Sequence, residues 1–377
     1  MTDDKPVLEV VRSRPGRTVY RSGRRSFLRG AGALAAAAAL PLPFVRPSYA
    51  ARSLRVSTFG GFFEDSFVAR VYPAFTEATG IAVESVSQPG NLQFLVQLAE
   101  ANRAGIAPMD LCTAGQVTVL RGRNAEVWKT LDASRIPSLD NVAARYIHDG
   151  PNGLDAVGAM AWFQTLIVNP EMMSELPDSW AVMWDESLGQ VWGASSGGAS
   201  YLFEITANTF FGGNEVLDTE EGVRDVLAKI GELTRTVRVW WESEGTMQTA
   251  YENEEIVGGM YYHDVAGIMA DEGVPIVSIF PKEGGVTDFG AWAQPSASTK
   301  DDEVYEFIAF TTTPEAQALM ARTIGVAPLV PREMTDLTDE EFAAVSSEQE
   351  PISLAASARV QFEDMMDQGF TAALRQG

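Results

Sequence analysis

The stretch GASSGGAS at residues 193–200 contains the pattern G-x-S-x-G, which in hydrolases presents a serine nucleophile on a sharp strand-to-helix turn. Ser195 would be the nucleophile, and His263 is the only histidine that follows it in the chain. Either Asp218 or Asp225 would supply the acid of a triad. No HGGG-type segment that would form an oxyanion hole appears in the sequence. A serine esterase is therefore a remote alternative.

The same stretch also fits a binding turn. Ser195, Ser196 and the glycines after them precede a predicted helix, so their N–H groups and hydroxyls would be free at its positive end. Such a turn attracts a carboxylate, a phosphate or a neutral oxygen. A simple helix cap made of small residues is an equally good interpretation at this point.

A second chemical pattern is YYHD at residues 261–264. Adjacent phenolates are hard oxygen donors suited to Fe(III), so Tyr261 and Tyr262 form a candidate ferric-iron site. Side chains of neighbouring strand residues point to opposite faces, which favours one tyrosine in the core. Cys112 is the only cysteine and His148 the only other histidine. An internal disulfide, a thiolate site and a multi-histidine zinc site are excluded.

The N-terminus has the order of a twin-arginine export signal. SGRRSFLR, with Arg24 and Arg25, precedes the weakly apolar run GAGALAAAAALPLPFV. The small residues Ser48 and Ala50 then supply a cleavage site. The run is shorter than the ~20 apolar residues of a membrane span and contains prolines. We therefore expect residues 1–50 to be a signal peptide and the working protein to be periplasmic.

The charge balance is strongly acidic. Across 377 residues, 51 Asp and Glu outnumber 28 Lys and Arg, for a net charge of −23. Nucleic-acid binding needs a basic face to neutralise phosphates, so nucleic acid is excluded as a partner.

The rest of the chain alternates short strand-like runs with longer helical patterns, which predicts an α/β fold. LRVST, IAVESV and MDLCT read as strands, and we expect helices near 301–311, 314–325 and 355–376.

Two doubly wound units without a flexible linker predict two lobes with a cleft between them. We assign residues 53–157 and about 290–335 to lobe 1. Residues about 158–289 and 340–377 are assigned to lobe 2.

Several segments together resemble the extracellular solute-binding proteins of ABC importers, especially the spermidine/putrescine-binding type. They are TGIAV, DSWAVMWD, GGMYY, GVPIVSIFPKEGG and TPEAQALMARTIG, whose order and spacing extend over nearly all of residues 53–335. The resemblance implies a two-lobed periplasmic-binding-protein fold (type II), without catalytic activity or cofactor. It also implies a monomer that delivers a small organic solute to an ABC permease in the inner membrane.

Polyamine-binding relatives hold ammonium groups with aromatic walls and several carboxylates, which offset desolvation through charge and cation–π contacts. We expect the loop glycines Gly60 and Gly61 to contact the ligand. The resemblance implies an aromatic wall of Phe59, Phe62, Tyr262 and Trp292. Core packing is the alternative for each of these side chains.

The polar part of the implied site combines donors with acids. Ser195, Ser196 and Tyr201 would donate hydrogen bonds, and Asp264 and Asp288 would take a positively charged end.

This chain departs from the polyamine pattern at three places. In the strand after PKEGG, Asp288 is offset from the acid that the family carries. Gly60 and Gly61 stand where the family carries an acid after the first strand, and SSGGAS stands where it carries two more. We therefore expect a small amine-containing or zwitterionic solute rather than a strict di- or triamine. The ferric-iron site at Tyr261 and Tyr262 remains the alternative.

Overall fold

The computed structural model describes residues 11–13, 17–19, 52–88, 92–173 and 175–376. The chain forms two compact units, Met1–Tyr49 and Ala50–Gly377. In the first unit the described residues form a short antiparallel hairpin. The twin-arginine stretch and the expected cleavage site lie outside the described residues.

The strands of the described part of the chain are short, with one exception that has 16 residues. They are β1 (Val11–Ser13), β2 (Arg17–Val19), β3 (Ser53–Ser57), β4 (Ala82–Ser85), β5 (Leu111–Gly115), β6 (Ile147–Gly150), β7 (Gly153–Val168), β8 (Trp192–Ser195), β9 (Val237–Trp241), β10 (Gly258–Tyr262), β11 (Val277–Ile279), β12 (Val286–Ala293) and β13 (Ile352–Ser353).

Helices alternate with these strands in the second unit. They are α1 (Phe62–Ser66), α2 (Tyr72–Thr79), α3 (Leu92–Arg103), α4 (Gln116–Asn124), α5 (Leu202–Phe210), α6 (Glu220–Gly231), α7 (Glu244–Glu252), α8 (His263–Asp271), α9 (Asp301–Thr311), α10 (Pro314–Ile324), α11 (Asp339–Ala343), α12 (Ala356–Gln361) and α13 (Glu363–Gln376). A π-helical turn, Phe67–Val71, joins α1 to α2. The expected helices near 301–311 and 314–325 are confirmed, whereas the one expected at 355–376 is divided into α12 and α13 at Phe362.

Helix α10 shows how local sequence fixes an element. The Thr313 side chain accepts a hydrogen bond from the Ala316 N–H, and Pro314 follows as the first helical residue. Pro suits that position because its missing N–H would have no helical partner there. Gly325 ends the helix at φ 85°, a left-handed conformation that glycine adopts without strain.

One curled mixed sheet runs through the second unit. Among the described residues it has eleven strands, eight of them in the order β4-β3-β5-β12-β7-β10-β8-β9. Strand β3 pairs in parallel with β4 and β5, and β8 pairs in parallel with β9 and β10. The long β7 is antiparallel to β12 over most of its length and to β10 at its C-terminal end. These two strands, β7 and β12, connect the parallel strands of one half to those of the other.

Each half has its own apolar core, which makes two lobes. In lobe 1, β3 and β5 are covered by helices that bring Phe67, Phe75 and Phe307 inward. In lobe 2, α5, α6 and α13 cover β8, with Trp192 and Phe203 fully buried. Complete burial of one large apolar side chain contributes roughly 1.5–3 kcal/mol.

The position of the crossing follows from packing along β7. Ala159 and Met160 pack with the lobe 1 core, whereas Leu166 and Val168 pack with the lobe 2 core. The chain therefore passes between lobes near the middle of β7, a few residues beyond the expected boundary at 157, and the division into lobes remains our prediction. None of the helices in the described ranges is long and apolar enough to cross a bilayer.

Candidate ligand-binding site

The candidate site lies where the C-terminal ends of parallel strands from both lobes meet the crossing strands. Phe59 follows β3, Gln116 follows β5, and Tyr262 ends β10. Trp162 on β7 and Asp288 on β12 are cross-strand partners between them. In α/β sheets, ligands bind at such strand ends.

Asp288 connects the two lobes through hydrogen bonds. Its Oδ1 accepts from Gln116 Nε2 of lobe 1 at 2.7 Å, and its Oδ2 accepts from the Tyr201 hydroxyl of lobe 2 at 2.8 Å. Burial raises the pKa of Asp288, while the hydrogen bonds from Gln116, Tyr201 and the Phe289 N–H act in the opposite direction. Asp288 is therefore a desolvated carboxylate held at the lobe junction.

Aromatic rings surround this carboxylate. The Trp162 indole N–H donates to the Tyr201 hydroxyl at 3.3 Å, and the Phe59 ring lies edge-on to Trp162 at 6.3 Å between centroids. Gly290 leaves the space for that ring, because a Cβ there would stand 2.9 Å from Phe59 Cε2. Phe59, Trp162 and Tyr201 are half-buried, so each presents part of its surface to the site.

A second acidic group lies on lobe 2. Asp264 is in the first turn of α8, beside Tyr262, and burial raises its pKa to about 6. Repulsion from Glu244 adds to that shift, and burial also raises the pKa of Glu244 itself. The pKa of Tyr262 rises to about 12, mainly through burial and then through the charge of Glu244.

Sequence reasoning did not identify Glu244. Glu244 is the first residue of α7, the helix that follows β9. Because ligands bind at the C-terminal ends of strands in α/β sheets, this position could have identified Glu244 as a candidate site residue.

Two buried polar side chains beside Tyr262 lack hydrogen-bond partners within the protein. Gln164, the cross-strand partner of Tyr262, is 1% exposed. Neither of its amide atoms has a partner in hydrogen-bond geometry, although the amide is near enough to the Tyr262 hydroxyl to lower the pKa of that group. The indole N–H of Trp241, whose ring centroid is 6.4 Å from that of Tyr262, is also unbonded. An unsatisfied buried polar group costs about 1–3 kcal/mol, so a ligand that bonded to these two side chains would offset that cost.

Ser195, which the sequence suggests as a ligand donor, is largely enclosed in the structure, and its role as a donor remains a prediction. Ser195 is 8% exposed, and its hydroxyl shares a 2.6 Å hydrogen bond with that of Ser200 and approaches Met260 Sδ. Ser196 is half-buried, and its hydroxyl donates to the Trp241 carbonyl at 3.4 Å. The stretch is therefore a turn held by hydrogen bonds within the protein. Of the two serines, only Ser196 keeps a partly exposed side chain.

The esterase hypothesis fails on the same geometry. His263 Nδ1 bonds to Ser278 Oγ and its Nε2 to the Ala343 carbonyl, both at 2.8 Å. Neither ring nitrogen is left for Ser195, so the base that would activate this serine is engaged elsewhere.

Trp292, which the sequence suggests as part of a ligand wall, lies in the core of lobe 1 in this structure, the alternative that the sequence left open. It lies on the same face of β12 as Asp288, but further into lobe 1, and it is fully buried. Its ring contacts those of Phe67 and Phe307 at centroid distances of 5.8 and 5.1 Å. Packing against those helices makes Trp292 part of the lobe core.

The arrangement of the two adjacent tyrosines does not suit a ferric site. Tyr261 is fully buried, and its hydroxyl accepts from Gln248 and donates to the Glu244 carbonyl. Burial raises the pKa of both Tyr261 and Tyr262, which disfavours the phenolates that would bind iron. Among the described residues, no group of three or more His, Cys, Asp or Glu side chains has the arrangement of a metal site.

The loop after β3 is open. Gly60, Gly61 and Phe62 are exposed, Phe62 by 58%, and no other part of the protein lies within 4 Å of a Cβ built on either glycine. Gly61 begins α1 at φ 69°. Their role in ligand binding remains our prediction.

Known proteins resemble this chain in sequence and fold. Residues 71–344 match the bacterial extracellular solute-binding protein family. The gamma-aminobutyric acid-binding protein of Pseudomonas aeruginosa is 21% identical over 285 residues, which are 74% of this chain and 77% of that protein.

Two solved structures show the fold. The Atu4243-GABA receptor aligns with a TM-score of 0.71 and 20% identity, over 86% of this chain and 98% of its own. The spermidine/putrescine substrate-binding protein PotD of Streptococcus pneumoniae aligns with a TM-score of 0.65 and 16% identity, over 85% and 99%. These alignments confirm the expected two-lobed periplasmic-binding-protein fold. The chain belongs to the bacterial extracellular solute-binding protein family, whose members bind small solutes for ABC transporters.

Proposed function

We propose that this protein captures a small organic solute with a primary ammonium group and presents it to an ABC permease in the inner membrane. The twin-arginine pattern in residues 1–50 supports export to the periplasm. The observation that carries the proposal is the pair of partly exposed, desolvated carboxylates, Asp264 and Asp288, at the strand ends.

Electrostatics favours a cation at this position. Burial raises the pKa of Asp264, of Asp288 and of Glu244, so each carboxylate is less stable when ionised than it would be in water. An ammonium group among them offsets that cost by charge attraction. Aromatic faces stabilise a cation within about 6 Å by roughly 0.5–2 kcal/mol, and Phe59 and Trp162 supply such faces.

The names of two relatives are consistent with this chemistry and differ in the rest of the solute. One is named for gamma-aminobutyric acid and another for spermidine and putrescine, and all of these compounds carry a primary ammonium group. The acids of this site suit that shared group, and the proposal commits to it alone.

A thermal-shift series with one carbon skeleton tests the proposal. The compounds are 4-aminobutanoate, 1,4-diaminobutane, n-butylamine and butanoate, measured at pH 8, above the Asp264 pKa of about 6. We expect stabilisation by at least one amine, since a ligand at 100 times its Kd adds about 2.7 kcal/mol. Butanoate, which lacks the ammonium group, should give no shift. Stabilisation by butanoate with none by the amines would contradict the proposal.

A further inference from the structure

Arg359, on α12 near the C-terminus, is buried behind the candidate site. Only 7% of its side chain is exposed, and it pairs with Glu204 of α5, which is fully buried. Nε donates to Glu204 Oε1 at 2.8 Å and Nη2 to Oε2 at 2.5 Å. This two-pronged geometry is the strong form of an arginine–carboxylate pair.

The rest of the guanidinium holds the turn that precedes α5. Nη1 donates to the Gly198 carbonyl at 3.1 Å, and Nη2 donates to the Ser200 carbonyl at 2.8 Å. Tyr201 comes next in the chain, and Arg359 lies 5.9 Å from the centre of its ring. A lysine could not make these contacts together, because its ammonium is a single point rather than a planar fork.

The turn at residues 198–200 positions the ligand site. Tyr201 donates to Asp288 at 2.8 Å and accepts from Trp162 at 3.3 Å, so its place fixes two side chains of the wall. The positive charge of Arg359 also favours the ionised form of Asp288. The other titratable groups that act on this carboxylate, Tyr201 and Tyr262, are neutral phenols with raised pKa values.

We propose that Arg359 is a positioning residue of the solute site, which fixes the turn at residues 198–200 so that Tyr201 stays on Asp288. The positioned carboxylate then receives the ammonium group. The inference rests on the proposed function for its binding consequence, whereas the state of Asp288 can be measured without any solute.

Two variants distinguish the effect of Arg359 on the position of the turn from the effect of its charge on Asp288. Glu204→Gln with Arg359→Met removes both members of the ion pair, which avoids an unpaired buried charge that would cost about 3–5 kcal/mol. The amide introduced by Glu204→Gln still offers an oxygen to the Ala355 N–H, from which Glu204 accepts a hydrogen bond at 3.0 Å. Arg359→Lys keeps the positive charge but loses the planar guanidinium that donates to several acceptors at once.

The first readout is the titration of Asp288, followed by NMR in protein labelled at aspartate 13Cγ and assigned with Asp288→Asn. The second is calorimetric affinity for 4-aminobutanoate and 1,4-diaminobutane at pH 7. In the double variant we expect Asp288 to titrate about one pH unit higher and affinity to fall about tenfold, as expected when a desolvated carboxylate loses its nearby positive charge and its hydroxyl donor. Arg359→Lys keeps the charge but should loosen the hydrogen bond from Tyr201, so we expect Asp288 to titrate between the parent protein and the double variant and amine affinity to fall about threefold to tenfold.

A folded double variant with an unchanged Asp288 titration and unchanged affinities would overturn the inference. If the parent protein binds neither amine, the proposed function fails, and the NMR titration alone still decides the positioning role of Arg359. Thermal melting of each variant establishes that it is folded before either readout is taken.

Discussion

Asp264 combines a favourable backbone position with an unfavourable environment. It lies in the first turn of α8, where its carboxylate accepts from the backbone N–H groups of Asp264 and Val265. Helix N-termini stabilise a negative charge, yet burial and the nearby Glu244 outweigh that effect and raise the pKa to about 6. An ionised carboxylate in this buried position destabilises the ligand-free protein at neutral pH. Such a strongly perturbed pKa is typical of a binding site.

Replacing Asp264 by Asn should therefore stabilise the protein while it weakens amine binding. Because the folded pKa is raised from 3.8 to about 6, the destabilising effect is full above pH 6 and disappears as the pH falls towards 3.8. We expect the free energy of unfolding at pH 7.5 to increase by roughly 1–2 kcal/mol, a figure reduced for partial exposure. The gain should shrink at pH 4.5.

Urea denaturation at both pH values measures this effect. Asp178→Asn is the control, since that carboxylate is 86% exposed and should change stability little. A less stable Asp264→Asn protein at pH 7.5, or one that binds amines as tightly as the parent, would show that the carboxylate has another role.

At the scale of elements, strand β12 supplies residues both to the candidate site and to the core of lobe 1. The register of β12 against β7 shifts between Gly290 and Ala291, so residues on either side of this irregularity meet different parts of lobe 1. Asp288 lies at the lobe junction and Gly290 receives the Phe59 ring, whereas Trp292 is enclosed in the core. One strand thus supplies an acid, a space for an aromatic wall, and a core anchor.

Gly290→Ala should impair solute binding more than folding. A Cβ at 2.9 Å from Phe59 Cε2 would push aside the outer edge of a movable ring. We expect amine affinity to fall about threefold to tenfold, with a change in the free energy of unfolding below about 1 kcal/mol. Calorimetry and urea denaturation measure the two quantities.

The control for this variant is Gly267→Ala, in α8, where no other part of the protein lies within 4 Å of an added Cβ. It should raise stability by about 0.5–1 kcal/mol through helix propensity and leave affinity unchanged. If the Gly290→Ala protein and its parent bound amines with equal affinity, Phe59 would not be part of the proposed ligand wall.

Local pattern made the elements predictable, because their causes are local. LRVST and MDLCT correspond to β3 and β5, and the Thr-Pro start and glycine end of α10 are visible in the sequence. The burial of each site residue was not predictable from the sequence. It depends on the pairing of β7 with β12, strands more than a hundred residues apart, and on helices that cover one end of a strand face and leave the other open.

That limit applies to Ser195 and Trp292. Both residue types fit a binding site, but long-range packing encloses Ser195 in a hydrogen-bonded turn and Trp292 in the core of lobe 1. Asp264 and Asp288 were identified as acids from the resemblance, whereas their desolvation is a property of the folded site.

At the scale of the whole molecule, β7 and β12 cross between the two lobes, and we propose that these strands act as a hinge with the solute site beside them. Motion of lobes around a ligand needs contacts from both sides, and Asp288 already bridges Gln116 of one lobe and Tyr201 of the other. A solute that adds contacts to Asp264 and Phe59 would favour the closed arrangement by its differential affinity for it.

Calorimetric titration of 4-aminobutanoate and 1,4-diaminobutane at pH 6, in two buffers of different ionisation enthalpy, tests the central claim most directly. An ammonium group beside Asp264 lowers its pKa from about 6, so binding should release up to about half a proton at this pH. The affinity should also increase between pH 5 and pH 8. Absence of binding by both amines, or proton uptake on binding, would contradict an ammonium-binding site built on Asp264 and Asp288.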